Sequence, residues 1–186
     1  MAVVSCANWQ AGCTHAGPEC DDCYAEKMSR RLANMGQARY QGVTSGWRWT
    51  GAIVADLDAL HRAFDGLEKR RRPARVFVGS MTDLWHKDAP EAALEAFAAR
   101  VAHLDVIGSP HRILGLTKRT DRMLAWQRRY FPDGLPRCFW PGTTAGNQRA
   151  IGLRVPTLIE VRAHHRFVSV EPMLGPVTFT FDYGGE

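Results

Sequence analysis

Long apolar runs are missing from this chain. No stretch approaches the roughly 20 residues that a helix needs to cross a bilayer, so no membrane partner is expected. The opening residues, Met1-Ala2-Val3-Val4-Ser5-Cys6, have neither the basic head nor the apolar core of a secretory signal. An even set of cysteines is also lacking. There are five, which, with no signal, argues against a secreted disulfide framework and points to a reducing cytoplasm. Compositional bias is absent too: 45% hydrophobic and 23% charged residues exclude disordered, collagenous and low-complexity classes. What remains is a globular chain of 186 residues, read as a single α/β domain over 1–186. Its net charge of +5 favours acidic partners, nucleic acid first among them.

Short apolar runs alternate with helical patterns. Val76-Phe77-Val78, Ile113-Leu114-Gly115-Leu116, Cys138-Phe139-Trp140 and Phe167-Val168-Ser169-Val170 are bounded by breakers and lack strict alternation, as strands buried on both faces do. Four apolar stripes at helical spacing accompany them, two before the first run and one in each of the two gaps that follow it. The first is Tyr24, Met28, Leu32 and Met35, stopped by Gly36; the second is Leu57, Leu60, Phe64 and Leu67. The third, Leu94 to Leu104, follows Asp88 as cap with Pro90 and Glu91 in the first turn; the fourth, Met123 to Tyr130, follows Thr120 as cap. Gly152 and Pro156 interrupt the pattern after Asn147, and residues 36–50 read as a long loop. Repeated βα units predict a parallel sheet of about six strands, folded as a partial TIM-like barrel. The active site of such a fold lies at the C-terminal strand ends. That rim would carry Ser80, Thr82, Asp83 and His86, then Lys118 and Arg119, then Asn147, then Glu171.

The cysteines cluster at the N-terminus, in a loop spanning residues 6–24. Cys13, Cys20 and Cys23 are spaced Cys-x6-Cys-x2-Cys, with Gly17 and Pro18 turning the loop back on itself. Cys23 immediately precedes the first helix, where the dipole favours a thiolate. Two metal readings follow. A fourth ligand, His15 or Cys6, would complete a tetrahedral zinc site. With no fourth ligand, the three would hold a [4Fe–4S] cluster with one iron open. Zinc sites of this kind generally use two Cys pairs, and no second Cys-x2-Cys exists here, so a cluster at the mouth of a parallel barrel suits the spacing better. Cys138 falls in an apolar run and reads as core.

The segment from Asn8-Trp9-Gln10-Ala11-Gly12-Cys13 to Cys20-Asp21-Asp22-Cys23-Tyr24 resembles the opening of a phage-associated three-Cys-motif family of unknown function. Ser80-Met81-Thr82-Asp83-Leu84-Trp85-His86, Leu116-Thr117-Lys118-Arg119 and Ser169-Val170-Glu171-Pro172 match the same family in order. That family is similar to radical S-adenosylmethionine enzymes, although its cysteine spacing differs from their usual one. The resemblance implies a cluster on Cys13, Cys20 and Cys23 whose open iron chelates S-adenosylmethionine, and a 5′-deoxyadenosyl radical as oxidant. It further implies that Tyr24 packs near adenine and that Ser80, Thr82 and Asp83 bind amino or ribose groups. Arg119 and Asn147 would complete the cofactor contacts, and Lys118, Glu171 and His86 would be the catalytic candidates. Members continue past the point where this sequence ends, Tyr183-Gly184-Gly185-Glu186, so a missing C-terminal extension is expected.

Three functions compete: a radical enzyme that modifies nucleic acid, a zinc-stapled nucleic-acid-binding module, and a truncated inactive family member. A partner protein is a further candidate. The basic run Lys69 to Arg72, with Arg75, could bind phosphates but reads first as a solvated face, while the group Arg162, His164, His165 and Arg166 precedes a strand and so falls at the opposite rim. Most tryptophans read as core, with Trp47 and Trp49 the best stacking candidates.

Overall fold

The computed structural model describes residues 3–179. In chain order the elements are β1 (Val3–Ala7), β2 (Gln10–Ala11), α1 (Tyr24–Asn34), β3 (Thr44–Ser45), β4 (Arg48–Trp49), β5 (Val54–Ala55) and α2 (Leu57–Glu68). They continue as β6 (Arg75–Val78), α3 (Glu91–Val106), β7 (Arg112–Thr117), α4 (Thr120–Tyr130), β8 (Phe139–Thr144), α5 (Gln148–Glu160) and β9 (Phe167–Ser169).

Five of the strands form one parallel sheet in the order β1-β6-β7-β8-β9. Each strand lies beside its predecessor in this series, and right-handed crossovers that always step the same way put their helices on one face. Accordingly α2 packs on α3, α3 on α4 and α4 on α5. Against an expected six or so, the sheet has five strands among the described residues. Among the described residues the sheet is open, with β1 and β9 as its edges, so no closed barrel is formed. Tyr183 to Glu186, where the sequence ends, lie outside the described residues.

The two faces of the sheet differ. Val76, Val78, Ile113 and Phe139 are buried under the helices. Trp9, Phe64, Phe97, Trp126 and Phe139 join them in a continuous ring cluster with centroids 5.2–6.1 Å apart. Such pairs add about 0.5–1.5 kcal/mol each beyond area burial. On the opposite face Phe77, Leu114, Leu116 and Phe167 are only half-buried and line a cavity. Gly142 is needed there because any Cβ would lie 2.4 Å from the Phe167 ring.

Several local expectations change. α1 buries Ala25, Glu26 and Ser29, while Tyr24 (60% exposed), Met28 and Met35 (65%) face outward. The reason is polar: Glu26 accepts a hydrogen bond from the Trp49 amide at 2.8 Å, with Arg48 at 3.9 Å, which turns that side of α1 inward against β4. Asp88 does not cap α3, which starts at Glu91 after Pro90 with no side-chain cap; Asp88 instead pairs with Lys87. Thr120 is the first residue of α4 rather than its cap. α5 runs through Pro156, and the loop at 36–50 carries the β3–β4 hairpin.

Candidate functional site

A cavity of about 600 Å³ opens at the C-terminal ends of the strands, within the size range of small-molecule sites. Its floor is the half-buried sheet face. Its wall is the cysteine loop with the start of α1, and its rim is the turns after β6, β7 and β9. Cys13, Cys20, Cys23, Tyr24, Ser80, Thr82, Asp83, Lys118, Arg119 and Glu171 all line it, so ten sequence-predicted residues meet at one place. His86 and Asn147 do not line it. Asn147 caps α5, its side chain accepting the Ala150 amide at 2.9 Å.

His86 lies behind the cysteine loop, fully buried. Its Nδ1 accepts the Asp88 amide at 3.2 Å, which assigns the proton to Nε2, donated to Thr14 Oγ1 at 2.8 Å. Burial, with Arg119 nearby, holds it below the usual histidine range, so it is neutral at pH 7.

Asp83 organises the rim. One carboxylate oxygen accepts from Thr117 Oγ1 (2.6 Å) and the Trp85 amide (3.1 Å). The other accepts from the Lys118 amide (3.2 Å) and Arg119 Nη1 (2.8 Å). Arg119 Nη2 then donates to Thr14 Oγ1 (2.8 Å) and the Thr14 carbonyl (3.1 Å). Asp83 thus fixes an arginine that fixes the cysteine loop. Thr82 Oγ1 adds a second clamp by donating to the Gly12 carbonyl at 2.7 Å, and Ser80 exchanges hydrogen bonds with Asn8. Lys118 is different. Its ammonium makes no hydrogen bond or ion pair among the described residues, so a cation faces the cavity uncommitted.

The thiols are held in distinct ways. Burial first, then the charge of Asp83, pushes Cys13 up to about 11, against the lowering pull of Arg119 and the Thr14 backbone. Cys23 occupies the cap position of α1. His15 is engaged with Asp21 at 2.7 Å. Among the described residues, no three His, Cys, Asp or Glu side chains stand close enough together to hold one metal ion. Cys138 is core, its thiol buried and pushed up to about 12 by that burial. Trp85 and Trp126 are core as well, whereas Trp47 is exposed and Trp49 lines the cavity.

Sequence reasoning missed the anchor of the loop. Glu19 has a fully buried side chain that accepts from Arg154 Nη1 at 2.9 Å and from the Gly146 amide at 3.3 Å. Arg154 also donates to the Thr144 carbonyl at 2.7 Å, tying the loop to β8 and α5. A signal existed in the sequence: Ile151, Arg154 and Leu158 share one helix face, and a charge on an apolar stripe demands a buried partner.

Gly12 precedes the first thiol at φ +98°, and a Cβ there would lie 1.9 Å from the Ala52 carbonyl oxygen. Gly12→Ala is therefore expected to displace the loop and destabilise the fold by at least ~1–3 kcal/mol, read by denaturant unfolding. An unchanged midpoint would contradict this tight approach.

Residues 4–183, nearly the whole chain, match one family along their length. The chain belongs to the family described as protein of unknown function (DUF5131). The cysteine loop, the rim residues and the strand-end cavity all fall inside the matched span, so the site is part of the family domain. No curated protein and no solved structure matches the chain.

Proposed function

We propose that this chain is an iron–sulfur enzyme of the radical S-adenosylmethionine type, phage-associated, acting on nucleic acid. The observation that carries the reading is the convergence of Cys13, Cys20 and Cys23 on one cavity at the C-terminal ends of parallel strands. Three thiols are a soft donor set that suits iron–sulfur clusters or zinc. A tetrahedral zinc with Zn–S near 2.3 Å needs its sulfurs within about 4 Å of one another, and no three donors are gathered that tightly among the described residues. A four-iron cluster spaces its thiolates more widely, and the reading rests on the three cysteines lining one wall. The sequential, all-parallel strand order is also that of a barrel segment, which supports the TIM-like reading of the open sheet.

When bound, the cluster would supply the electron that cleaves the sulfonium of S-adenosylmethionine. The chain's own contribution is placement. Arg119 beside Cys13 offsets negative charge brought by thiolates. Lys118, uncommitted at the rim, would receive a carboxylate or phosphate, and exposed Glu171 would accept from a hydroxyl or amine. Phe77, Leu114, Leu116 and Phe167 keep the floor apolar and exclude water from it.

Anaerobic purification tests this. The expected product is a brown protein with about four irons and four sulfides per chain. Cys13→Ala, Cys20→Ala and Cys23→Ala should each lose that iron, and the reduced protein should convert S-adenosylmethionine to 5′-deoxyadenosine. A colourless protein carrying one zinc overturns the reading in favour of a zinc-stapled module. Iron without cleavage would identify an inactive family member.

A further inference from the structure

The rim opposite the cavity has a character of its own. Four connections, 69–75, 107–112, 131–138 and 161–166, lead into β6, β7, β8 and β9 and therefore meet at the N-terminal edge of the sheet. Together they hold nine Lys and Arg and a single carboxylate, Asp133. This local excess of eight positive charges exceeds the +5 of the whole chain, so the remainder of the molecule is net negative. The charge is concentrated on one edge rather than spread as a solubilising coat. Lys69, Arg70, Arg71 and Arg72 are exposed and make no ion pair among the described residues.

Aromatic groups are interleaved with these cations. The Arg75 guanidinium lies over the Trp140 ring at 5.3 Å, and Trp140 meets the exposed His165 with centroids 4.8 Å apart. Trp140 pairs in register with Leu114, and Arg75 is two residues before Phe77. This group therefore sits on the open, cavity-lining face of the sheet and not under the helices. From Trp140 to Thr144 at the cavity is four residues of strand, about 13 Å.

We infer that this basic edge, with the Arg75–Trp140–His165 group, binds single-stranded nucleic acid. Its phosphates meet the guanidinium groups of residues 70–72 and a base stacks on His165. A positive track with flat side chains set into it is the combination that single strands use, because phosphates supply the attraction and unpaired bases supply the stacking. A strand held there runs along the open sheet face toward the cavity. The inference deepens the reading above by naming where the substrate docks, but it rests on charge and ring geometry and not on the cysteines.

Fluorescence anisotropy with labelled single-stranded DNA and RNA oligonucleotides, across a salt series, tests it on the full chain. The charge-reversed variant Arg70→Glu/Arg71→Glu/Arg72→Glu, confined to exposed positions, should bind at least ~10-fold more weakly, and its log K against log salt slope should fall by about 2. His165→Ala should weaken oligonucleotide binding about fivefold or more while leaving heparin binding unchanged, since heparin has charge but no bases. Equal binding by the charge-reversed variant overturns the inference. So does attachment to phosphatidylserine vesicles with no oligonucleotide binding, or a duplex bound more tightly than its single strands. Iron content measured on the same samples separates the two readings. An unsubstituted chain that holds iron but binds no oligonucleotide refutes only the edge, and one that binds oligonucleotide but holds no iron refutes only the cluster.

Discussion

Glu19→Ala is expected to destabilise the fold by about 3–5 kcal/mol, the cost of stranding one partner of a buried ion pair. The Glu19 side chain is fully buried and that of Arg154 is 11% exposed, so solvent cannot take over the arginine's lost partner cheaply. Urea or guanidinium unfolding at pH 7 reads the effect, and a change under 1 kcal/mol would show that the pair does not anchor the loop. Replacing both partners with leucine should recover much of the loss, because two charges are removed together with their desolvation cost. The pH dependence carries the same information. Burial alone would raise the Glu19 carboxyl, but the Arg154 hydrogen bonds and charge and the Gly146 amide outweigh it and hold it below its ordinary 4.5. A carboxyl lowered on folding stabilises fully above its unfolded pKa. That stability is lost as pH falls from about 4.5 through the lower folded value. Glu19→Gln should flatten the stability profile across that acid window.

Asp83→Ala is expected to cost a similar ~3–5 kcal/mol, by a different route. Here one carboxylate serves two amides, a hydroxyl and a guanidinium, and its side chain is 7% exposed. Removing it leaves Arg119, 15% exposed, without its counter-charge and frees the β7–α4 turn that presents Lys118. A double-mutant cycle with Arg119→Ala should give an interaction energy of about 1–3 kcal/mol. Additive losses would mean that Asp83 supports the turn and not the arginine. Asp83→Asn, which keeps the shape but not the charge, should fall between wild type and alanine.

The sheet was legible because its strands are short apolar runs between breakers, with a clear helix-forming stripe between β6 and β7 and between β7 and β8. β6, β7, β8 and β9 lie where those runs are. β1 was not legible. Val3–Ala7 is five residues at the chain start, with no helix before it to mark a βα unit, and only its pairing to β6 makes it a strand. α1 was read on the wrong face for a related reason. A stripe of Tyr24, Met28, Leu32 and Met35 carries more apolar surface than Ala25 and Ser29, yet the buried carboxylate of Glu26 decides the orientation through long-range contacts that no local pattern contains. At the site, strand-end position correctly gathered Ser80, Thr82, Asp83, Lys118, Arg119 and Glu171. It could not distinguish Asp83, committed to four protein donors, from the Lys118 ammonium, which has no partner among the described residues. It also passed over Glu19, whose partner lies far away along the chain.

That distance sets an order of events during synthesis. Arg154 is 135 residues beyond Glu19, and Arg119 is 105 beyond Thr14. The three thiols are made long before either arginine, with the Thr82 clamp arriving in between. Closing such long loops is entropically slow to be rewarded. The cysteines therefore wait for these two arginines with the Thr82 clamp on their loop, open meanwhile to oxidation or to capture by whatever metal is at hand.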